Sequence, residues 1–205
     1  AGISLGEDGA THQTMEDIAL MKALPNMTVL VPCDYNQAKA ATLAAAEHMG
    51  PVYLRLGRSK MPNFTDENAK FEIGKAQLLN EGKDVTLFAC GHLVWEALEA
   101  AKALEAEGIS AEVINIHTIK PLDVDAIVAS ARKTRAVVTC EEHLFNGGMG
   151  DSVAQALALH CPTPMEYVAV DDRFGESGTP DEMLTNYGLR ANNIVEKAHA
   201  VLRRK

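Results

Sequence analysis

One short stretch concentrates residues able to do chemistry: Gly6-Glu7-Asp8-Gly9-Ala10-Thr11-His12-Gln13. It follows a brief apolar run and precedes a helix-like segment. Loops at the carboxyl ends of strands are where open α/β sheets take their ligands. The two glycines let the backbone approach a ligand or adopt positive φ. Asp8 and His12 place a carboxylate and an imidazole on one tight loop. Such a pair can hold substrate hydroxyls and move protons near neutral pH. The same composition also suits a loop leading into a helix, with its charges simply solvated, so composition alone leaves both readings open.

Two further clusters invite assignment and read better as structure. Gly147-Gly148-Met149-Gly150 could cradle a phosphate at a helix N-terminus. The following Asp151 puts a negative charge there, so a tight strand-to-helix turn is the expectation. Glu141-Glu142-His143 ends a strand and is expected to serve packing or an interface rather than metal or acid–base chemistry. The cysteines, Cys33, Cys90, Cys140 and Cys161, form no C-x-x-C pair. They read as reduced core thiols of a cytoplasmic protein, and no zinc site is expected. His48, His92, His117, His160 and His199 share no spacing that would make a ligand set.

The elements that must position the loop alternate between strand and helix. Met15 to Ala23 is expected to be a short helix capped by Thr14. Met27 to Val31 reads as a strand, and Asp34 caps a helix from Tyr35 to about His48, with Gln37 completing a capping box. Val52 to Leu56 is the next strand, giving a βαβ unit. Residues 57–72 have little periodicity and read as a linker. Strands follow at Ala76–Asn80 and Val85–Cys90, joined by a turn at Glu81–Asp84, and a helix at Leu93–Glu107 ends at Gly108. Ala111–Ile116, Ala136–Cys140 and Glu166–Val170 are further strands. Helices are expected after Asp123, from Asp151 to His160 and from Ala191 to Arg204. The last carries basic residues in its final turn, where the dipole favours them.

This predicts two α/β pieces, 1–56 and 73–205. The second has enough elements for a complete domain. The first has two clear strands, too few for an independent parallel sheet. Upstream residues, or a partner supplying the rest of that sheet, are therefore expected. The bulk properties agree with a folded protein: 205 residues, 47% apolar and 23% charged. Lys plus Arg is 19 against 28 for Asp plus Glu, a net charge of -9. So acidic a chain lacks the footprint of a nucleic-acid binder and would be repelled by anionic lipid. No run reaches the roughly 18 apolar residues of a membrane span, and no signal peptide is visible.

The motifs carry a resemblance. Gly6 to Gln13, then Glu16-Asp17, Leu24-Pro25-Asn26-Met27 and Val31-Pro32-Cys33-Asp34 resemble the pyrimidine-binding domain of transketolases. The family usually has Ala in place of Cys33 and Glu in place of Gln37. The match continues to Leu54-Arg55-Leu56-Gly57-Arg58. Thr118-Ile119-Lys120-Pro121-Leu122-Asp123, Glu141-Glu142-His143 and Asn146-Gly147-Gly148-Met149-Gly150 resemble the family's C-terminal domain. The whole chain is similar to the second subunit of split, two-gene transketolases. The resemblance implies an α/β fold: a partial pyrimidine-binding segment and a doubly wound, mostly parallel C-terminal domain.

It implies thiamine diphosphate chemistry with a divalent metal, Mg or Ca, in a full assembly. The cofactor ylide attacks a ketose phosphate and passes a two-carbon ketol unit to an aldose phosphate. Asp8 matches the family residue that bonds the substrate hydroxyl next to the carbonyl. His12 matches a channel residue that contacts the ketose oxygens and is read as positional. Arg58 matches the arginine that binds the sugar phosphate, a contact suited to a planar guanidinium. Arg55 is read as structural. The glutamate and aromatic residue that hold the aminopyrimidine lie upstream of the matched motif, and another domain holds the diphosphate and metal. No cofactor or metal residue is therefore assigned, and the chain alone is expected to be inactive. An N-terminal subunit or domain and homodimerisation are the expected partners. Two rivals stand beside this: a 2-oxo acid dehydrogenase beta chain or deoxyxylulose-phosphate synthase-like enzyme, and a non-catalytic dimerisation or assembly module.

Overall fold

A computed structural model describes residues 1–205. After a 3₁₀ turn at Ile3–Leu5 come α1 (Asp17–Ala23), β1 (Thr28–Leu30), α2 (Tyr35–Glu47) and β2 (Val52–Leu54). Then follow β3 (Gln77–Asn80), β4 (Val85–Ala89), α3 (Leu93–Ala106), β5 (Ala111–Asn115) and β6 (Thr118–Lys120). The chain ends with α4 (Val124–Thr134), β7 (Val137–Leu144), α5 (Met149–His160), β8 (Met165–Val170), α6 (Pro180–Asn186) and α7 (Ala191–Leu202).

Two sheets form. The larger has the order β3-β5-β4-β7-β8, parallel throughout except for β3, which runs antiparallel along β5. Every residue of β4 and β5 is buried, as expected where helices cover both faces of a parallel sheet. On one face α3 and α7 pack with Leu87, Val113, Leu104 and Val201. On the other, α4 and α5 pack with Phe88, Ile114, Ile127 and Leu157. This is the doubly wound arrangement expected. The chain goes from β4 to β5 on one side and later to β7 on the other, so the strand order reverses beside β4.

The smaller sheet has the order β2-β1-β6. β1 and β2 are parallel, completing the expected βαβ unit. The third strand was not foreseen: β6, from the later part of the chain, pairs antiparallel with β1. Ile18, Val29 and Val31 accordingly share one buried cluster with Phe88, Ile116 and Ile119.

Several expectations are corrected. Helix α1 starts at Asp17, and Thr14 does not cap it. The Thr14 carbonyl instead accepts from the Gly2 N–H and the Arg55 guanidinium, holding that residue outside the helix. Asp34 does cap α2 through the Gln37 N–H (2.9 Å), but the Gln37 side chain accepts from Cys33 rather than from the cap itself. The turn at Glu81–Asp84 joins β3 to β4 as expected, but β5 lies between the two strands in the sheet. β7 runs on past Cys140 to Leu144, and α5 begins at Met149. Helix α6 is an addition to the expected elements, and Thr179 and Glu182 form a full capping box around Pro180 at its start.

Candidate active site

The loop of interest is built from two overlapping turns. The Gly9 N–H donates to the Gly6 carbonyl (3.0 Å), and the His12 N–H donates to the Gly9 carbonyl (3.0 Å). Gly9 sits at φ +72° directly against the Ser177 hydroxyl. Any side chain there would be strained and would collide with Ser177, so glycine is required. Gln13 is buried and its Nε2 donates to the Gly6 carbonyl (3.1 Å) and the Glu176 carbonyl (2.8 Å). That amide ties the loop to the segment between β8 and α6.

The structure brings Asp8 and Arg58 together: the guanidinium is ion-paired with the Asp8 carboxylate although fifty residues separate them. Both remain substantially exposed, with side-chain exposures of 62% for Arg58 and 41% for Asp8. His12 is exposed on the same loop, and its Nδ1 lies 2.9 Å from the Thr11 hydroxyl rather than bonding to Asp8. Arg58 also lines a cleft of about 480 Å³. Its walls are the residues that follow β1 (Val31, Pro32), β2 (Arg55 to Met61) and β4 (Gly91, His92), with Glu142 of β7. It therefore opens at strand carboxyl ends, beside the point where strand order reverses, where open α/β sheets bind ligands.

Behind the cleft lies a buried ionic cluster. Arg55 Nε donates to Asp17 Oδ2 (2.9 Å), and its Nη2 donates to the carbonyls of Thr14 (3.2 Å) and Glu142 (2.9 Å). The Tyr53 hydroxyl also donates to Asp17 (2.8 Å). Burial opposes ionisation of Asp17, yet the Arg55 charge and these hydrogen bonds outweigh it and hold the carboxyl below its usual range. Arg55 is held in its charged form by the same partnership.

The remaining clusters are engaged in structure. The Glu141 carboxylate accepts from the N–H groups of Met149 (2.6 Å) and Gly150 (2.7 Å). The protein's own carboxylate thus occupies the N-terminus of α5, where an external phosphate would have bound. Burial raises the Glu141 pKa to about 7 against the pull of those amides. His143 donates from Nδ1 to the Leu144 carbonyl (2.8 Å), while its Nε2 accepts from the Ala19 N–H (3.3 Å). That pattern needs a neutral ring, and burial lowers its pKa accordingly. The four cysteines are free, and three are buried.

The fold is that of a doubly wound α/β protein with a strand-end cleft. The model for the transketolase pyrimidine binding domain matches residues 1–63, and that for the transketolase C-terminal domain matches residues 74–194. The chain belongs to the transketolase family. It is 47% identical over 204 residues to the 6-deoxy-6-sulfo-D-fructose transketolase subunit SqwH of Clostridium sp. (strain MSTE9), covering all of this chain and 63% of that protein. It is 36% identical over 199 residues to the 1-deoxy-D-xylulose-5-phosphate synthase of Heliobacterium modesticaldum, covering 95% of this chain and 30% of that enzyme. A solved structure described as "Split gene transketolase, inactive beta4 tetramer" superposes with a TM-score of 0.93 at 49% identity. The match covers 97% of this chain and 65% of that one. The chain thus spans under two thirds of the length of these relatives.

The family's cofactor is thiamine diphosphate. Both oxygens of Asp34, the carboxylate beside Tyr35 on the cleft wall, are taken by Gln37, Phe64 and Thr65. No three His, Cys, Asp or Glu side chains converge as metal ligands. No helix is long and apolar enough to cross a membrane.

Arg55 is structural, as expected, and its pairing with Asp17 is what the sequence left unassigned. The available signal was a charge inside the apolar strand Val52–Leu56 with an acid in the first turn of a nearby helix. A buried arginine requires such a partner.

Proposed function

We propose that this chain is the C-terminal section of a split transketolase. It works with an N-terminal subunit or domain that holds thiamine diphosphate and its divalent metal. The assembly transfers a two-carbon ketol unit from a ketose phosphate to an aldose phosphate. Residues 1–56 close the pyrimidine-binding domain, 57–72 connect, and 73–205 form the C-terminal domain. Asp8 accepts a hydrogen bond from the hydroxyl next to the substrate carbonyl, His12 orients the ketose oxygens, and Arg58 takes the terminal anion. The observation that supports this most is the meeting of Asp8 and Arg58 at the rim of the strand-end cleft, with His12 on the same loop. A hydroxyl acceptor and an anion receptor side by side suit a sugar phosphate. A 2-oxo acid has no run of hydroxyls for such a site to read. The Clostridium relative is named for a sulfonated ketose. A guanidinium also suits a sulfonate, so both anions belong in the assay.

The test is steady-state kinetics of the chain reconstituted with the N-terminal subunit, thiamine diphosphate and Mg²⁺. A charge-assisted contact is worth about 1.5–3 kcal/mol. Arg58→Ala should therefore raise KM for anionic ketoses roughly 10- to 150-fold, with far less effect on uncharged ones. Equal effects on both would remove Arg58 from the anion site. Micromolar thiamine diphosphate affinity in the chain alone would overturn the division of labour between subunits.

A further inference from the structure

Arg55 stands where three pieces of the molecule converge. It follows β2 and lies three residues before Arg58. Its guanidinium bonds Asp17 at the start of α1, the Thr14 carbonyl at the end of the loop bearing Asp8 and His12, and the Glu142 carbonyl of β7. The neighbouring bonds run between the same segments. The Ser4 N–H donates to the Glu142 carboxylate, the Leu144 N–H donates to the Met15 carbonyl (2.9 Å), and the Gly2 N–H donates to the Thr14 carbonyl (2.8 Å). Arg55 is only 6% exposed, so these contacts are sheltered from water and salt. On its far side it reaches the cleft wall beside Arg58.

We infer that Arg55 is a positioning residue for the substrate site: its guanidinium fixes the Asp8–His12 loop against the strand end that carries Arg58 and against β7. The inference rests on the reading of Asp8 and Arg58 given above. The geometry asks for a planar group with donors in several directions. Lysine offers one nitrogen on a flexible stem and cannot span Asp17, Thr14 and Glu142 together. Small displacements of positioning groups cost heavily in rate, on the order of 10²-fold for about 1 Å. At the loop's carboxyl-terminal end Arg55 acts beside Gly2, which also donates to the Thr14 carbonyl, and Leu144, which donates to the Met15 carbonyl. Gln13 ties the loop to Glu176, and among these partners Arg55 alone bonds both Thr14 and Asp17 and reaches β7 through the Glu142 carbonyl.

The experiment uses Arg55→Lys and the double variant Asp17→Asn/Arg55→Gln. The double variant removes both charges of the Asp17–Arg55 pair together, so neither partner of that pair is left behind as a buried ion. Hydrogen exchange on the full chain comes first. Faster exchange at Gly9, His12 and Gln13 is expected, with exchange in α7 unchanged. Kinetics in the reconstituted holoenzyme follow, with a phosphoketose and its epimer at the hydroxyl next to the carbonyl. The variants should lose on the order of 10²-fold in kcat/KM for the preferred epimer. They should also narrow the preference between epimers, which a loss of stability alone would not do. Asp8→Asn runs in parallel. If Asp8→Asn narrows the preference and the Arg55 variants keep both wild-type kcat/KM and wild-type preference, the inference is overturned. If Asp8→Asn leaves the preference intact, the reading of Asp8 fails instead.

Discussion

Asp34 offers a perturbation whose size can be worked from the structure. Its carboxylate caps α2 through the Gln37 N–H (2.9 Å) and also accepts from the N–H groups of Phe64 (2.9 Å) and Thr65 (2.7 Å) and from the Thr65 hydroxyl (2.7 Å). One side chain therefore starts a thirteen-residue helix and anchors the segment that begins at Arg58. Losing the cap costs about 1 kcal/mol. Leaving the Phe64 and Thr65 amides without acceptors costs about 1 kcal/mol or more each. Asp34→Ala should therefore destabilise the chain by about 3 kcal/mol, lowering Tm by roughly 6–12 °C for a protein of this size. Burial disfavours the Asp34 carboxylate, but the four hydrogen bonds outweigh it and hold its pKa below the usual 3.8. A depressed carboxyl contributes stability above the unfolded-state pKa and loses it as pH falls through the folded one. The gap between wild type and Asp34→Ala should be full at pH 7 and close as pH drops below 3.8. Urea titrations at several pH values measure it. A change under about 0.5 kcal/mol at pH 7, the scale of an ordinary surface substitution, would refute the reasoning. So would a gap that does not move with acid.

Two buried groups should titrate with opposite sign. Burial raises Glu141 to about 7, so its contribution is present at low pH and is lost as pH rises from 4.5 towards 7. Burial lowers His117 to about 4, so its contribution is present above 6.5 and is lost as pH falls towards 4. Glu141→Gln should flatten the first slope and leave the second exposed in a pH series of Tm, and an unchanged profile would count against the Glu141 assignment. Burial also raises the thiols of Cys33, Cys90 and Cys140, whereas Cys161 is half-buried and free. Mass spectrometry after brief alkylation of the native chain should find Cys161 modified first. Early modification of Cys140 would contradict the packing of β7.

Much of this architecture is legible locally. The apolar runs at Val29, Leu87 and Val113 lie in buried strands, and Gly108 ends a helix where the pattern stops. Strand neighbours were not legible, since a turn at Glu81–Asp84 says nothing about which strand lies alongside. β5 takes the place beside β4, and its backbone at Ala111 and Glu112 crowds Gly82 so closely that a Cβ there would clash. β6 is three residues long, too short for a period to register. The acid and imidazole of the loop were visible as residue types. The meeting of Asp8 with Arg58 is a tertiary fact that spacing cannot carry.

The same tertiary facts weigh against reading residues 73–205 as a passive assembly module. The segment bearing Asp8 and His12 owes its place to groups from the later part of the chain: β6 alongside β1, the Glu142 carbonyl on Arg55, and the Glu176 carbonyl on Gln13. Gly6 packs against Pro180 and the Gly178 carbonyl, and Gly9 against Ser177. Each contact is short-ranged and directional, so a shift of β7 or of the 171–180 segment would carry the loop with it. A dimerisation module tethered through a linker would leave the loop indifferent to such shifts. Here the later part of the chain is the bed in which the Asp8–His12 loop is set, and its integrity is a condition of the chemistry proposed for Asp8.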